Sequence, residues 1–144
     1  VEASREAYVG SESELTGKIL GAFLRVYNEL GTGFVELVYG RALAINLREA
    51  GLKVECEVAV PVWYHGQLIG IYKADMVVEG KVILELKTAN EIAKHHEAQL
   101  LNYLRATDIE IGLILNFGPT PKSRRMDFPN KDKQRQVSSA VIRS

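Results

Sequence analysis

Apolar positions along the chain keep two different periods, and the switches between them mark out the elements. Leu15, Ile19, Phe23, Tyr27 and Leu30 recur every three or four residues, the spacing of one helix face. Ahead of them, Ser11 and Glu14 have the spacing of a capping box. Gly31-Thr32-Gly33 stops this helix, and a second is predicted over about 34–50, closed by Gly51. The period then becomes two. Val54, Cys56, Val58, Val60 and Val62 point one way and Glu55, Glu57, Ala59, Pro61 and Trp63 the other, which predicts a strand with one buried face. Pro61 cannot donate to a ladder, so the far end of this strand belongs at a sheet edge or a bulge. His65-Gly66 turns the chain into a strand at about 68–78, and Glu79-Gly80 turns it again into a strand at 82–87. A helix over about 91–105 follows, then an apolar strand at about 109–117, a Gly/Pro loop and an edge strand at about 123–128.

The order α-α-β-β-β-α-β-β predicts an α/β (α+β) domain, a mixed central sheet flanked by helices. Residues 11–128 form this domain in the reading. Residues 1–10 are expected as a flexible segment and 129–144 as a basic, disordered tail. Composition adds little to this: 144 residues, 47% hydrophobic and 25% charged, make an ordinary globular chain large enough for one core. A single cysteine, Cys56, excludes an internal disulfide and a thiolate metal cluster. No apolar run is long enough to span a bilayer, so no membrane partner is expected and a cytoplasmic location is the simplest reading. Net charge is zero, but from Lys122 onward seven Lys/Arg face two Asp, a local +5 balanced by −5 elsewhere.

Charge changes the picture where it interrupts apolar elements. In the second helix, Glu36 falls on or beside the stripe of Tyr39, Leu43 and Leu47 that should face inward. In the strand 82–87, Glu85 and Lys87 share a face with Ile83, while Val82, Leu84 and Leu86 share the other. Where Asp75 points depends on the turn. A two-residue loop puts Asp75 opposite Leu84, on the wrong face, whereas a three-residue loop with a left-handed residue puts it opposite Glu85. In the third helix Ile92, His96, Gln99 and Tyr103 form a mostly polar stripe. Each feature alone has an ordinary explanation. Glu36 can be a boundary carboxylate favoured by the helix dipole, Glu85 and Lys87 a solvated pair, and the helical stripe a boundary face. Three such displacements on three elements point instead to a site. Two adjacent carboxylates repel unless a proton or cation lies between them, and oxygen donors suit Mg²⁺.

The same residues resemble a known family. Gly33-Phe-Val-Glu36-Leu-Val-Tyr39 is similar to the motif of the GxxExxY proteins, a group within the PD-(D/E)xK nuclease superfamily. The similarity runs from about Leu15 to Phe128 and includes GIYKAD ending at Asp75, VILELK ending at Lys87, HEAQLLNYL from His96 and GLILNFG from Gly112. The resemblance implies a restriction-endonuclease-like core and a Mg²⁺- or Mn²⁺-dependent nuclease acting on DNA or RNA. By it, Asp75 and Glu85 are metal-binding carboxylates, with the Leu86 carbonyl and Glu36 as further ligands or supports. Lys87 orients water or stabilises charge. Gln99 and Tyr103 support the site or the phosphate backbone, with His96 and Tyr39 near them. The rival class is a non-catalytic module of the same fold that binds nucleic acid or a protein partner; zero net charge supports it. In either class a homodimer or a protein partner is expected to add affinity. A small-molecule enzyme is a third reading, disfavoured for nucleotide cofactors by the lack of a Gly-rich phosphate loop.

Overall fold

Three residues separate the strands that carry the displaced charges. In the computed structural model, which describes residues 12–133, Val78 pairs with Val82, Val77 with Ile83 and Met76 with Leu84. Glu79 and Gly80 both take left-handed backbone, φ 56° and 64°, and Lys81 N–H closes the turn on Val78 C=O at 2.9 Å. A turn of this hand matches the twist of the strands it joins. The odd count fixes parity, so Asp75 comes to lie against Glu85, as the three-residue alternative requires. Glu79 is also tied to the strand beyond: its N–H donates to Lys53 C=O at 2.8 Å and its carboxylate accepts Lys53 N–H at 2.6 Å.

The elements run α1 (Ser13–Leu30), α2 (Glu36–Glu49), β1 (Val54–Tyr64), β2 (Gln67–Val78), β3 (Val82–Lys87), α3 (Lys94–Arg105), β4 (Ile111–Phe117) and β5 (Pro121–Asp127). They form one five-stranded sheet in the order β1-β2-β3-β4-β5. Neighbours are antiparallel except β3 and β4, which are parallel and joined by α3. This is the mixed sheet flanked by helices, with the expected order. On one face, Ile19 and Phe23 of α1 and Leu43 and Leu47 of α2 pack on Leu84, Leu86, Leu113 and Leu115. On the other, Leu100, Tyr103 and Leu104 of α3 pack on Val77, Ile83 and Ile114. Helices on both faces leave β3 and β4 covered throughout, so their sequences read as nearly continuous apolar runs. β1 is an edge strand, which accommodates Pro61, and its register shifts between Val62 and Trp63.

The structure corrects several expectations. The alternation from Val54 to Val62 does not keep one face. Val54 packs in the α1/α2 core, whereas Val58, Val60 and Val62 pack with α3. The switch occurs at Glu57, whose left-handed backbone (φ 54°) interrupts the ladder between the Cys56–Met76 and Val58–Ala74 pairs. Asp75 lies across from this kink, and its neighbours Met76 and Ala74 belong to opposite cores. α2 starts at Glu36, which is exposed, so Glu36 is not on the inward stripe with Tyr39, Leu43 and Leu47. α3 starts at Lys94 rather than near 91, because Ala93 N–H donates to the His96 side chain at 3.0 Å and ends the extended segment there. Ser11 lies outside the described residues. α1 follows Glu12, whose backbone is left-handed, with no side-chain cap. The segment 1–10 lies outside them as well, and of the tail expected from 129 only residues 129–133 are described. Those are held down: Lys133 Nζ donates to Thr107 C=O and Ile109 C=O, each at 2.8 Å. Among the described residues, no helix is long and apolar enough to cross a membrane.

The β2–β3 turn generates a stability prediction. A Cβ at Gly80 meets nothing within 4 Å, so a substitution there costs only backbone strain. Gly80→Val should therefore lower unfolding free energy by about 1–2 kcal/mol in urea titrations, without altering the slope of the transition.

Candidate active site

β2 and β3 stop pairing through backbone at Met76 and Leu84, and side chains complete the next rung. Asp75 N–H donates to Glu85 Oε2 at 3.0 Å, and Leu86 N–H donates to Asp75 Oδ2 at 2.8 Å. Beyond the Met76–Leu84 pair the two strands no longer share backbone hydrogen bonds, and each carboxylate reaches across to an N–H that the ladder leaves unsatisfied. Each thereby uses one oxygen and leaves the other for a further partner.

Burial makes this arrangement costly for negative charge. Glu85 is 3% exposed in a strand that is buried from Val82 to Leu86. Desolvation and then the charge of Asp75 push its carboxyl up to about 8, against the lowering effect of the Asp75 N–H and of Lys87. Asp75 is also raised, because burial outweighs the hydrogen bond from Leu86 and the nearby Lys87. Glu57, ion-paired with Lys73 at 3.6 Å, adds further repulsion toward Asp75. Sequence reading gave Glu57 no role. Its place opposite Asp75 depends on the kink, which has no signature in the residue types.

On the α3 side, Lys87 Nζ donates to Gln99 Oε1 at 3.3 Å, and Gln99 Nε2 donates to Tyr103 Oη at 3.1 Å. Tyr103 is nearly buried, and its phenol is raised by burial and then by Glu85. Lys87, Gln99 and Tyr103 are thus brought together beside the carboxylates. His96 is turned to a local task, its Nδ1 accepting the Ala93 N–H. Its pKa is lowered by burial, His95 and Lys87, which favours a neutral ring.

On the α2 side, Glu36 lines a cavity of about 600 Å³ together with Asp75, Leu86, Glu57, Arg41 and Arg48. Its charge also reaches Glu85. Tyr39 is elsewhere: it is fully buried, stacked on Phe117 with centroids 4.3 Å apart, and donates through Oη to Gly31 C=O at 2.5 Å while receiving Phe34 N–H at 3.4 Å. Grouped with the substrate or support residues, Tyr39 holds the loop that delivers Glu36. Gly33, at φ 106°, supplies a backbone that other residues rarely adopt. The Gly-x-x-Glu-x-x-Tyr spacing is therefore a loop-and-anchor device.

One anchor escaped the sequence reading. Asn116 is wholly buried in β4 and pairs with Lys87 in the parallel register. Its Oδ1 accepts Ala89 N–H and its Nδ2 donates to Ala89 C=O, each at 2.9 Å. A Cβ on Gly118 would lie 2.1 Å from that carbonyl oxygen. Asn116 and Gly118 together grip the segment immediately after Lys87. The signal was present as one amide inside the apolar run GLILNF.

Among the described residues, no three Asp, Glu, His or Cys side chains group closely enough to hold a metal ion alone. Two oxygen-donor carboxylates, buried and mutually repulsive, nevertheless suit a hard divalent cation. Mg²⁺ commonly takes one or two carboxylates and fills its remaining positions with water and substrate phosphate.

Comparison with known proteins gives three findings. The PD-(D/E)XK nuclease superfamily matches residues 13–127. No curated protein matches the chain. Among solved structures, one described as the crystal structure of SSO0001 is similar with a TM-score of 0.45 and 16% identity, over 84% of this chain and 65% of that one.

Two measurements follow from the geometry. Glu85 ionises near 4.5 in the unfolded chain but about 8 when folded, so the folded state holds its proton longer. In metal-free buffer, the stability this group contributes is present below pH 4.5 and is lost as pH rises to about 8. Glu85→Gln should flatten that decline in thermal melts and melt higher than the parent at pH 8. Asn116→Ala strands both Ala89 backbone groups and should lower unfolding free energy by about 2 kcal/mol in denaturant titrations.

Proposed function

Because the chain belongs to the PD-(D/E)XK nuclease superfamily, we propose that it is a Mg²⁺- or Mn²⁺-dependent phosphodiesterase that hydrolyses DNA or RNA at Asp75, Glu85 and Lys87. The observation that carries this reading is the exchange between Asp75 and Glu85, which holds two carboxylates side by side where burial raises the affinity of both for positive charge. A divalent ion bound there supplies the charge that acidifies water and offsets the negative charge gathering on the scissile phosphate.

The protein's own groups have separable tasks in this reading. Asp75 and Glu85 would hold the ion, with the Leu86 carbonyl as a further donor. Glu36, on the cavity wall, would support the same centre. Lys87 presents a compact ammonium to the phosphate or the attacking water, positioned by Gln99 and by the grip of Asn116 on the following segment. Tyr103 braces Gln99 from within the core.

The test is a cleavage assay with single-stranded, duplex and branched DNA and with RNA, in Mg²⁺ or Mn²⁺. Asp75→Asn and Lys87→Ala should each reduce the rate at least about 100-fold. Lys18→Ala, on the solvent side of α1, should leave it unchanged. In parallel, Mn²⁺ should raise the melting temperature of the parent and not of Asp75→Asn. Cleavage that persists in both site variants would sink the assignment.

A further inference from the structure

A second cavity, of about 500 Å³, lies between the outer half of β2 and α3. Tyr72, Tyr103 and Val62 give it flat and apolar surfaces, and His95, Gln99 and Asn102 bring polar groups from α3. On α3 these last three are separated by four and three residues, so they share one helix face, which Arg105 continues. The Tyr72 side is furnished by the hairpin beyond the end of β3, and this tyrosine is 57% exposed. Its ring lies 6.2 Å from that of Tyr103, tilted by 42°, so the two tyrosines form one continuous aromatic wall. The slot adjoins the candidate active site through a shared residue: Gln99 lines it and also accepts from Lys87.

We infer that this slot takes one unpaired nucleobase, stacked on Tyr72 and met at its edge by the Gln99 and Asn102 amides, so that the enzyme acts on single-stranded nucleic acid or frayed ends. The inference rests on the nuclease reading and narrows it. A base within a duplex has both faces covered by its neighbours, so an aromatic wall in a slot is useful only to a base out of the stack. Carboxamides carry both donors and acceptors and can meet any base edge.

The experiment uses the full chain carrying Asp75→Asn and Glu85→Gln, so that binding is read without cleavage. The probe is a short oligonucleotide with one 2-aminopurine, presented single-stranded or annealed to its complement. The expected result is fluorescence quenching and preferential binding of the single strand. Adding Tyr72→Ala should weaken that binding about tenfold, and Tyr72→Phe should retain it. Because Tyr72 is largely exposed, its replacement leaves the core intact, and the phenylalanine variant controls for folding. Equal affinity for both forms, indifference to Tyr72→Ala, or no binding overturns the inference. The two readings fail separately. A protein that binds single strands through Tyr72 but cleaves nothing keeps the slot and loses the nuclease. One that cleaves duplex DNA regardless of Tyr72 does the reverse.

Discussion

Two carboxylates complete a rung of the central sheet, and much of the surrounding structure serves that one exchange. A backbone ladder would satisfy the same N–H groups at little electrostatic cost. Here Asp75 and Glu85 satisfy them instead, which brings two acidic groups into a desolvated gap between strands. Neither carboxylate can turn outward without leaving an N–H of the opposite strand unpaired. The hydrogen bonds therefore restrain the pair where desolvation raises the proton affinity of both, and the charge of Asp75 raises that of Glu85 further.

Three separate devices make the exchange possible. The left-handed Glu79-Gly80 turn sets parity, the left-handed kink at Glu57 breaks the β1–β2 ladder beside Asp75, and the Asn116 grip fixes the chain where it leaves Lys87. The first two are local backbone conformations, and the third is a long-range side-chain contact. The hydrophobic clusters above and below then hold the sheet so that the gap cannot close by sliding. A one-residue slip would carry Leu84 and Leu86 out of the α1/α2 core. Apolar packing thus secures a polar site that disfavours its own ionised state.

What was legible in the residues follows from what each signal depends on. The central sheet, its order and the faces of β3 were readable because period and parity are countable along a chain. The register at Asp75 could be reduced to two alternatives and tied to the turn. Glu36 was noticed for its place on a helical wheel, yet it stands exposed at the first position of α2, where the wheel has little meaning. The reading of β1 failed because one residue, Glu57, adopts a backbone its side chain does not announce. Tyr39 was grouped with substrate or support residues by its motif, and packing against Phe117 shows what it supports, the loop before α2. Asn116 was visible as a polar interruption, but its partner at Ala89 lies 27 residues away.

The parallel pairing of β3 with β4 also orders events in time. Asp75 and Glu85 are ten residues apart, joined by a tight turn, and can meet as soon as that hairpin forms, on the microsecond scale. In an isolated hairpin they remain hydrated and ionise as ordinary acids. Desolvation arrives only when α3 has formed and β4 docks beside β3, a non-local step that folds more slowly. The electrostatic cost of the site is therefore concentrated late in folding, at the closure of the central sheet. That late step is also the one at which Asn116 reaches Ala89, so its two hydrogen bonds form as the carboxylates lose their water.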